Sequence, residues 1–114
     1  MNQITLIGRL TKDPDVRTAQ SGMQIATFTL AVDRNSKDGG ADFPRVKCFG
    51  KTAEIVEKYA GKGKQIAVQG RIATDSYEDK DGKKVFVTDV IADRVELLGG
   101  KTEEKQADPS DIPF

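Results

Sequence analysis

The segment Asp42–Lys51, DFPRVKCFGK, gathers side chains well suited to holding a ligand. Strand residues point alternately to two faces, so Arg45, Lys47 and Phe49 share one face and Phe43 falls in the same register. Val46 and Cys48 supply an apolar opposite face. A row reading aromatic, cation, cation, aromatic, with Lys51 just beyond, suits a single-stranded nucleic acid. Base faces stack on the rings while phosphates meet the cations. The competing arrangement buries both phenylalanines in a core and leaves the charges solvated.

A second candidate is Tyr77, in TDSYEDKDGKK, with Lys80, Lys83 and Lys84 around it. Near a hairpin tip it either stacks on a base or pins the hairpin. DKDG lacks the ligand spacing and terminal glutamate of a calcium loop, and Asp81-Gly82 is a good turn signal. Arg9, Lys12, Arg17 and Arg34 lie along the first two strands and their connection, as phosphate contacts or plain surface. Arg71 stands with Gln69 on the polar side of KQIAVQGRI and joins the basic candidates.

Catalytic and metal chemistry are poorly supplied. Histidine is absent and Cys48 is the only cysteine. That excludes Ser-His-Asp and Cys-His catalysis, His-ligated metals and thiolate zinc sites. The carboxylates sit in turns, in a helical segment or near the end, with none tied to a nucleophile. No enzyme, metal or cofactor is expected. A lone cysteine allows no intrachain disulfide, which fits a reducing cytosol. No apolar run nears the roughly 18 residues of a membrane span, and no basic region precedes NQITLIG as in a secretory signal. A cytoplasmic protein is expected.

The elements that must position these residues are mostly strands. NQITLIGRL begins with alternating Ile4 and Leu6 before Ile7 and Leu10 break strict order. MQIATFTLAVD places Ala26, Phe28, Leu30 and Val32 on one face, with Ile25, Thr27, Thr29 and Ala31 on the other. KQIAVQGRI lines up Ile66, Val68, Gly70 and Ile72. Two more extended runs flank Asp81-Gly82. Between the third and fourth strands, KTAEIVEKYAGKG carries Ala53, Val56, Tyr59 and Ala60 at helical spacing. Thr52 is placed to cap its start and Gly61 to stop it. This order is the layout of an all-β OB-fold, a five-stranded Greek-key barrel with one short helix between strands three and four.

One domain is expected over residues 1–100. Beyond Leu98 the composition changes: GGKTEEKQADPSDIPF has two glycines, two prolines and few apolar residues, and predicts a disordered tail over 101–114. The charges divide at the same place. Of 18 basic and 18 acidic side chains, 16 and 14 lie in residues 1–100, a net of +2, and the remaining 2 and 4 make the tail −2.

LIGRLTKDPDVR, ATFTLAVDR, FGKTAEIVEKYAGKG and the final DIPF together resemble the bacterial single-stranded DNA-binding protein family. The resemblance runs from about Asn2 to Leu98 and returns in the last residues. It implies an OB-fold assembled as a homotetramer, binding single-stranded DNA without sequence preference during replication, recombination and repair. By motif position it makes Phe43, Phe49 and Tyr77 stacking residues, and Arg17, Arg45, Lys51 and Lys62 basic residues near the DNA path. It also implies a terminal peptide that docks on replication, recombination and repair proteins. Ile112 and Phe114 would fill an apolar pocket with the terminal carboxylate at its lip, and Pro113 would limit the entropy lost. Asp108 and Asp111 would meet a basic rim.

The chain departs from the family at two places. Asn35 and Ser36 stand where a further stacking aromatic is common, and Asp75 and Ser76 where basic residues are found. Weaker or shorter-site binding follows. Two other functions fit the same pattern: an RNA-binding OB protein, and an oligomeric adaptor acting through its tail.

Overall fold

In a computed structural model, which describes residues 1–98, the period-2 segments form strands. The order is β1 (Ile4–Leu10), β2 (Asp15–Thr18), β3 (Gln24–Asp33), β4 (Ala41–Asp42), β5 (Arg45–Phe49), α1 (Lys51–Tyr59), β6 (Gln65–Glu78) and β7 (Lys84–Leu97). Five of these close a ring. β1 pairs with β6, β6 with β7, β7 with β5, β5 with β3, and β3 again with β1. Only the β5–β7 pair is parallel. This is the expected OB-fold, with the short β2 and β4 added along opposite edges of β3.

Alternation decides what the ring encloses. Ala26, Phe28 and Leu30 of β3, Val46 and Cys48 of β5, Ile66 and Val68 of β6, and Val90 and Ala92 of β7 are all buried. α1 adds Ala53 and Val56 and packs against β3, β5 and β7. In β1 the alternation is unbroken, contrary to expectation. Leu10 is buried and Gly8 occupies an inward place, while Ile7 faces out. The inward place belongs to Gly8 because β1 crosses β3 there, and a Cβ would press on the Ala31 carbonyl.

The helix ends also differ from expectation. Gly50 is the N-cap at φ 62, a conformation that favours glycine, so the turn out of β5 is set there and not at Thr52. The Thr52 hydroxyl instead donates to the Asp93 carbonyl at 3.5 Å. At the other end α1 stops at Tyr59, two residues before Gly61, because Ala60 turns extended and is buried. Tyr59 lies exposed.

β6 and β7 outrun the barrel. β1 reaches only as far as Gly70 on β6, and β5 only as far as Val90 on β7. From Ala73 to Glu78 and from Lys84 to Asp89 the two strands pair only with each other, as a projecting arm. Its root is fastened by Asn2, whose side chain accepts from the Ile72 amide at 2.9 Å and donates to the Ile72 carbonyl at 2.8 Å. Just inside the root the register shifts: Gln69 faces Arg94 and Gly70 faces Ala92, leaving Asp93 as the extra residue of a bulge. At the tip, Asp79 accepts the Asp81 and Lys83 amides at 2.9 Å, so DKDG is a turn.

Two consequences are measurable. A Cβ on Gly70 would overlap the Ile91 carbonyl, so Gly70→Ala is expected to cost roughly 1–3 kcal/mol in urea unfolding, the usual penalty of overpacking. Cys48 is fully buried, with its Sγ 3.8 Å from the Ala26 carbonyl, and burial pushes its pKa from 9.0 up to about 12. Because the folded value lies above the unfolded one, the contribution to stability is complete below pH 9.0 and is lost as pH rises toward about 12. The thiol should react with a disulfide reagent at about pH 8 only after unfolding.

Candidate nucleic-acid interface

The outward side chains of β5 lie at the centre of one continuous wall. Val46 and Cys48 fill the barrel, so Arg45, Lys47 and Phe49 face away from it. Register extends the row to both sides. On β3 the neighbours are Thr29, Thr27 and Ile25, and Arg17 of β2 lies opposite Ile25. On β7, Lys47 faces Ile91, which faces Arg71 on β6. Farther along β6, residues of the same parity run from Arg71 through Ala73 and Asp75 to Tyr77, about 20 Å at the usual strand rise. Arg17, Arg45, Lys47, Phe49, Arg71 and Tyr77 therefore share one face, gathered from three strands.

The remaining candidates border it. The register between β3 and its partners is unbroken from Thr29 opposite Arg45 to Val32 opposite Asp42. Phe43 thus falls opposite Ala31, on the outer side as expected. Arg9 of β1 lies across Ala31 from it, and Arg34 follows β3 at the same end. Lys51 opens α1 beyond Phe49. Lys62 lies in the loop before β6, its amide donating to Asp13 at 2.8 Å. The aromatics are out of the core: Phe43 is 63% exposed, Phe49 38% and Tyr77 55%, whereas Phe28 is the buried ring. That excludes the arrangement with Phe43 and Phe49 as core residues.

Charge is distributed less simply. Arg45 Nε lies 3.2 Å from Asp89 Oδ1, and the Asp89 side chain is only 12% exposed. Arg17 pairs with Asp15 at 3.4 Å and Arg34 with Asp42 at 2.9 Å, both pairs well exposed. Arg9 donates to the Gly63 carbonyl at 3.0 Å. Exposed pairs of this kind are worth about 0–1 kcal/mol, so a phosphate can displace them. Lys47, Lys51, Lys62 and Arg71 make no ion pair among the described residues.

Pattern reading missed these partnerships, because Arg45 and Asp89 are brought together only by the parallel β5–β7 pairing. It also missed Phe86, the most exposed aromatic among the described residues at 74%. Phe86 has the parity of Val90 and Ala92, which marks it as inward-facing until the strand is known to leave the barrel. Where a further aromatic is common in the resemblance, Asn35 and Ser36 are exposed, and the Ser36 hydroxyl donates to Gly39 at 3.3 Å. Asp108, Asp111, Ile112, Pro113 and Phe114 lie outside the described residues.

The wall on the far side of β6 offers a contrast. Thr5, Ala67, Gln69, Arg94 and Glu96 line a shallow hollow there, with Arg94 and Glu96 paired at 2.9 Å. No ring lines it. Aromatic and unpaired cationic side chains are concentrated instead on the β5 side, the combination that holds unpaired bases and their phosphates.

Comparison with known proteins agrees with this geometry. The model of the single-strand binding protein family matches residues 1–98. The chain is 45% identical over 113 residues to "Single-stranded DNA-binding protein 1" of Staphylococcus aureus strain MSSA476, covering 95% of this chain and 72% of that protein. It is 46% identical over 110 residues to "Single-stranded DNA-binding protein 2" of Staphylococcus aureus strain COL, covering 93% and 79%. Over 102 residues it is 53% identical to the "Single-stranded DNA-binding protein" of Clostridium tetani strain Massachusetts / E88, covering 86% and 70%. With barrel, arm and outward aromatic row all inside the matched span, the chain belongs to the single-strand binding protein family.

Proposed function

We propose that this protein binds single-stranded DNA without sequence preference on the wall centred on β5. The observation that carries the proposal is the shared outward face of Arg45, Lys47 and Phe49, continued through Arg71 to Tyr77. Phe43, Phe49 and Tyr77 receive base faces. Lys47, Lys51, Lys62 and Arg71 meet phosphates first, because no carboxylate among the described residues pairs with them. Arg9, Arg17, Arg34 and Arg45 add contacts when phosphate replaces their present partners. Duplex DNA hides its base faces, so stacking selects single strands. The protein is a binding module and not an enzyme, as its family membership implies.

The wider role belongs to the same proposal. Bound strands are kept unpaired and protected during replication, recombination and repair in the cytoplasm. The segment ending in DIPF recruits the proteins of those processes through Ile112, Pro113 and Phe114, with Asp108 and Asp111 steering encounter. Four copies assemble, as the family resemblance implies. Ile7, outward on β1 and 52% exposed, offers an apolar contact for that assembly. No helix among the described residues is long and apolar enough to cross a membrane.

Fluorescence anisotropy of a labelled oligo-dT, competed with unlabelled single-stranded DNA, duplex DNA and RNA, tests the function. Displacement by single-stranded DNA alone supports it. Equal displacement by RNA identifies an RNA-binding OB protein, and no binding at all leaves the oligomeric adaptor.

On the same oligo-dT, Phe49→Ala should weaken binding by about 1–3 kcal/mol, the worth of one stacked base. Asp89→Asn removes the carboxylate that holds Arg45. It should tighten binding severalfold and steepen the log–log salt dependence by about 0.7, as one more phosphate contact requires for a single strand. Weaker binding by Asp89→Asn would mean that the carboxylate orients Arg45 instead of competing for it. Deleting Asp108 to Phe114 should leave the affinity equal or tighter, since those acids compete for the same cations.

A further inference from the structure

The arm has a second face. Ser76 lies opposite Phe86, Thr74 opposite Thr88 and Glu78 opposite Lys84, whereas Tyr77 lies opposite Val85 and Asp75 opposite Val87. Adjacent strand residues point to opposite faces, so Phe86 and Tyr77 stand on opposite sides of the same two-stranded arm. The Phe86 side continues the inner surface of the barrel, through Ile72 and Val90, past the point where there is a barrel to enclose it. Val90 is buried there, and Ile72, its partner, is already 41% exposed.

Phe86 lies bare on that side. Lys84 Nζ sits 5.9 Å from its ring centroid. Lys84 and Phe86, two apart on one strand face, repeat the relation of Lys47 and Phe49 on β5. Around them are the hydroxyls of Thr74, Ser76 and Thr88, which can donate to phosphate or sugar oxygens. Glu78 is the only acid of that parity on the arm, and it lies opposite Lys84. The face thus presents a ring, a cation and neutral donors, the set that holds a single strand.

We propose that Phe86, with Lys84 beside it, is a second stacking site for single-stranded DNA, on the face of the arm opposite Tyr77. The proposal rests on the single-strand-binding function above and adds the course of the strand. DNA that leaves the β5 wall over Tyr77 crosses the arm and returns along its other side. The arm is then held between two runs of one strand, and long strands gain a contact that short ones do not reach.

Photocrosslinking of the full chain to an oligo-dT carrying 5-iodouracil, followed by trypsin, separates the two faces. Tyr77 falls on the peptide Ile72–Lys80 and Phe86 on Val85–Arg94. Adducts are expected on both. Phe86→Leu keeps an apolar side chain on an exposed site, so it should fold normally. It should lose the Val85–Arg94 adduct and bind a long oligo-dT roughly tenfold more weakly, as loss of one stacking contact implies. An oligo-dT too short to round the arm should bind it as it binds the unaltered protein. Adducts on Ile72–Lys80 or on the Phe49 peptide without any on Val85–Arg94, together with unchanged long-strand affinity, would overturn the proposal and leave the β5 wall intact. A change in the sedimentation of DNA-free Phe86→Leu would also overturn it, assigning the face to a second copy of the chain. No adduct anywhere, with no oligo-dT binding, would instead refute the single-strand-binding function itself.

Discussion

Closing five strands into a ring allows each strand residue only two places, inside or out. The backbone hydrogen bonds are consumed by the ring, and the inside is filled by residues such as Leu30, Val46 and Ile66. Whatever alternates with them must face out. Phe49 is therefore held on the outside by the burial of Val46 and Cys48 on the inner face of β5. A large ring in that position costs free energy in the free protein, about 25 cal/mol for each Å² of apolar surface left wet. Stacking on a base, as proposed for Phe49, would cover that surface. The packing of the core and the binding face are two consequences of one register.

The same ring explains why the arm exists and how it is aimed. β1 and β5 end early, and the bulge at Asp93 with the close approach at Gly70 brings β6 and β7 together where their outer partners stop. Asn2 ties off the edge of β6 at that point. Tyr77 is thus presented from a two-stranded lever continuous with the wall. Electrostatics moderate what the wall can do. The protein has no net charge, and three of its candidate arginines are already paired with aspartates. Among the described residues, Lys47, Lys51, Lys62 and Arg71 carry the site's unpaired charge. Stacking must then supply a larger share of affinity than in a strongly basic binder, and salt a smaller lever than the number of cations suggests.

Much of this was legible in the chain itself. The faces of β3 and β5 follow from alternation alone, and the site row Arg45, Lys47, Phe49 stands where the pattern puts it. What could not be read are the places where backbone geometry or long-range pairing overrides local pattern. Ile7 and Gly8 exchange their expected roles because β1 crosses β3. The helix begins after Gly50 because the chain turns there at positive φ, and Thr52 is left to bond elsewhere. Asp89 meets Arg45 only through a parallel pairing between strands far apart in sequence. Phe86 carries an inward parity on a segment that has no inside.

DNA bound as proposed lies on the β5 wall and not on the opposite one. Amide chemical-shift perturbation of the full chain on titration with oligo-dT tests it most directly. The largest changes are expected at Arg45–Phe49 and at Arg71–Tyr77, with Thr5, Ala67 and Gln69 little affected. Changes concentrated at Thr5, Ala67, Gln69 and Arg94, with β5 unmoved, would contradict it.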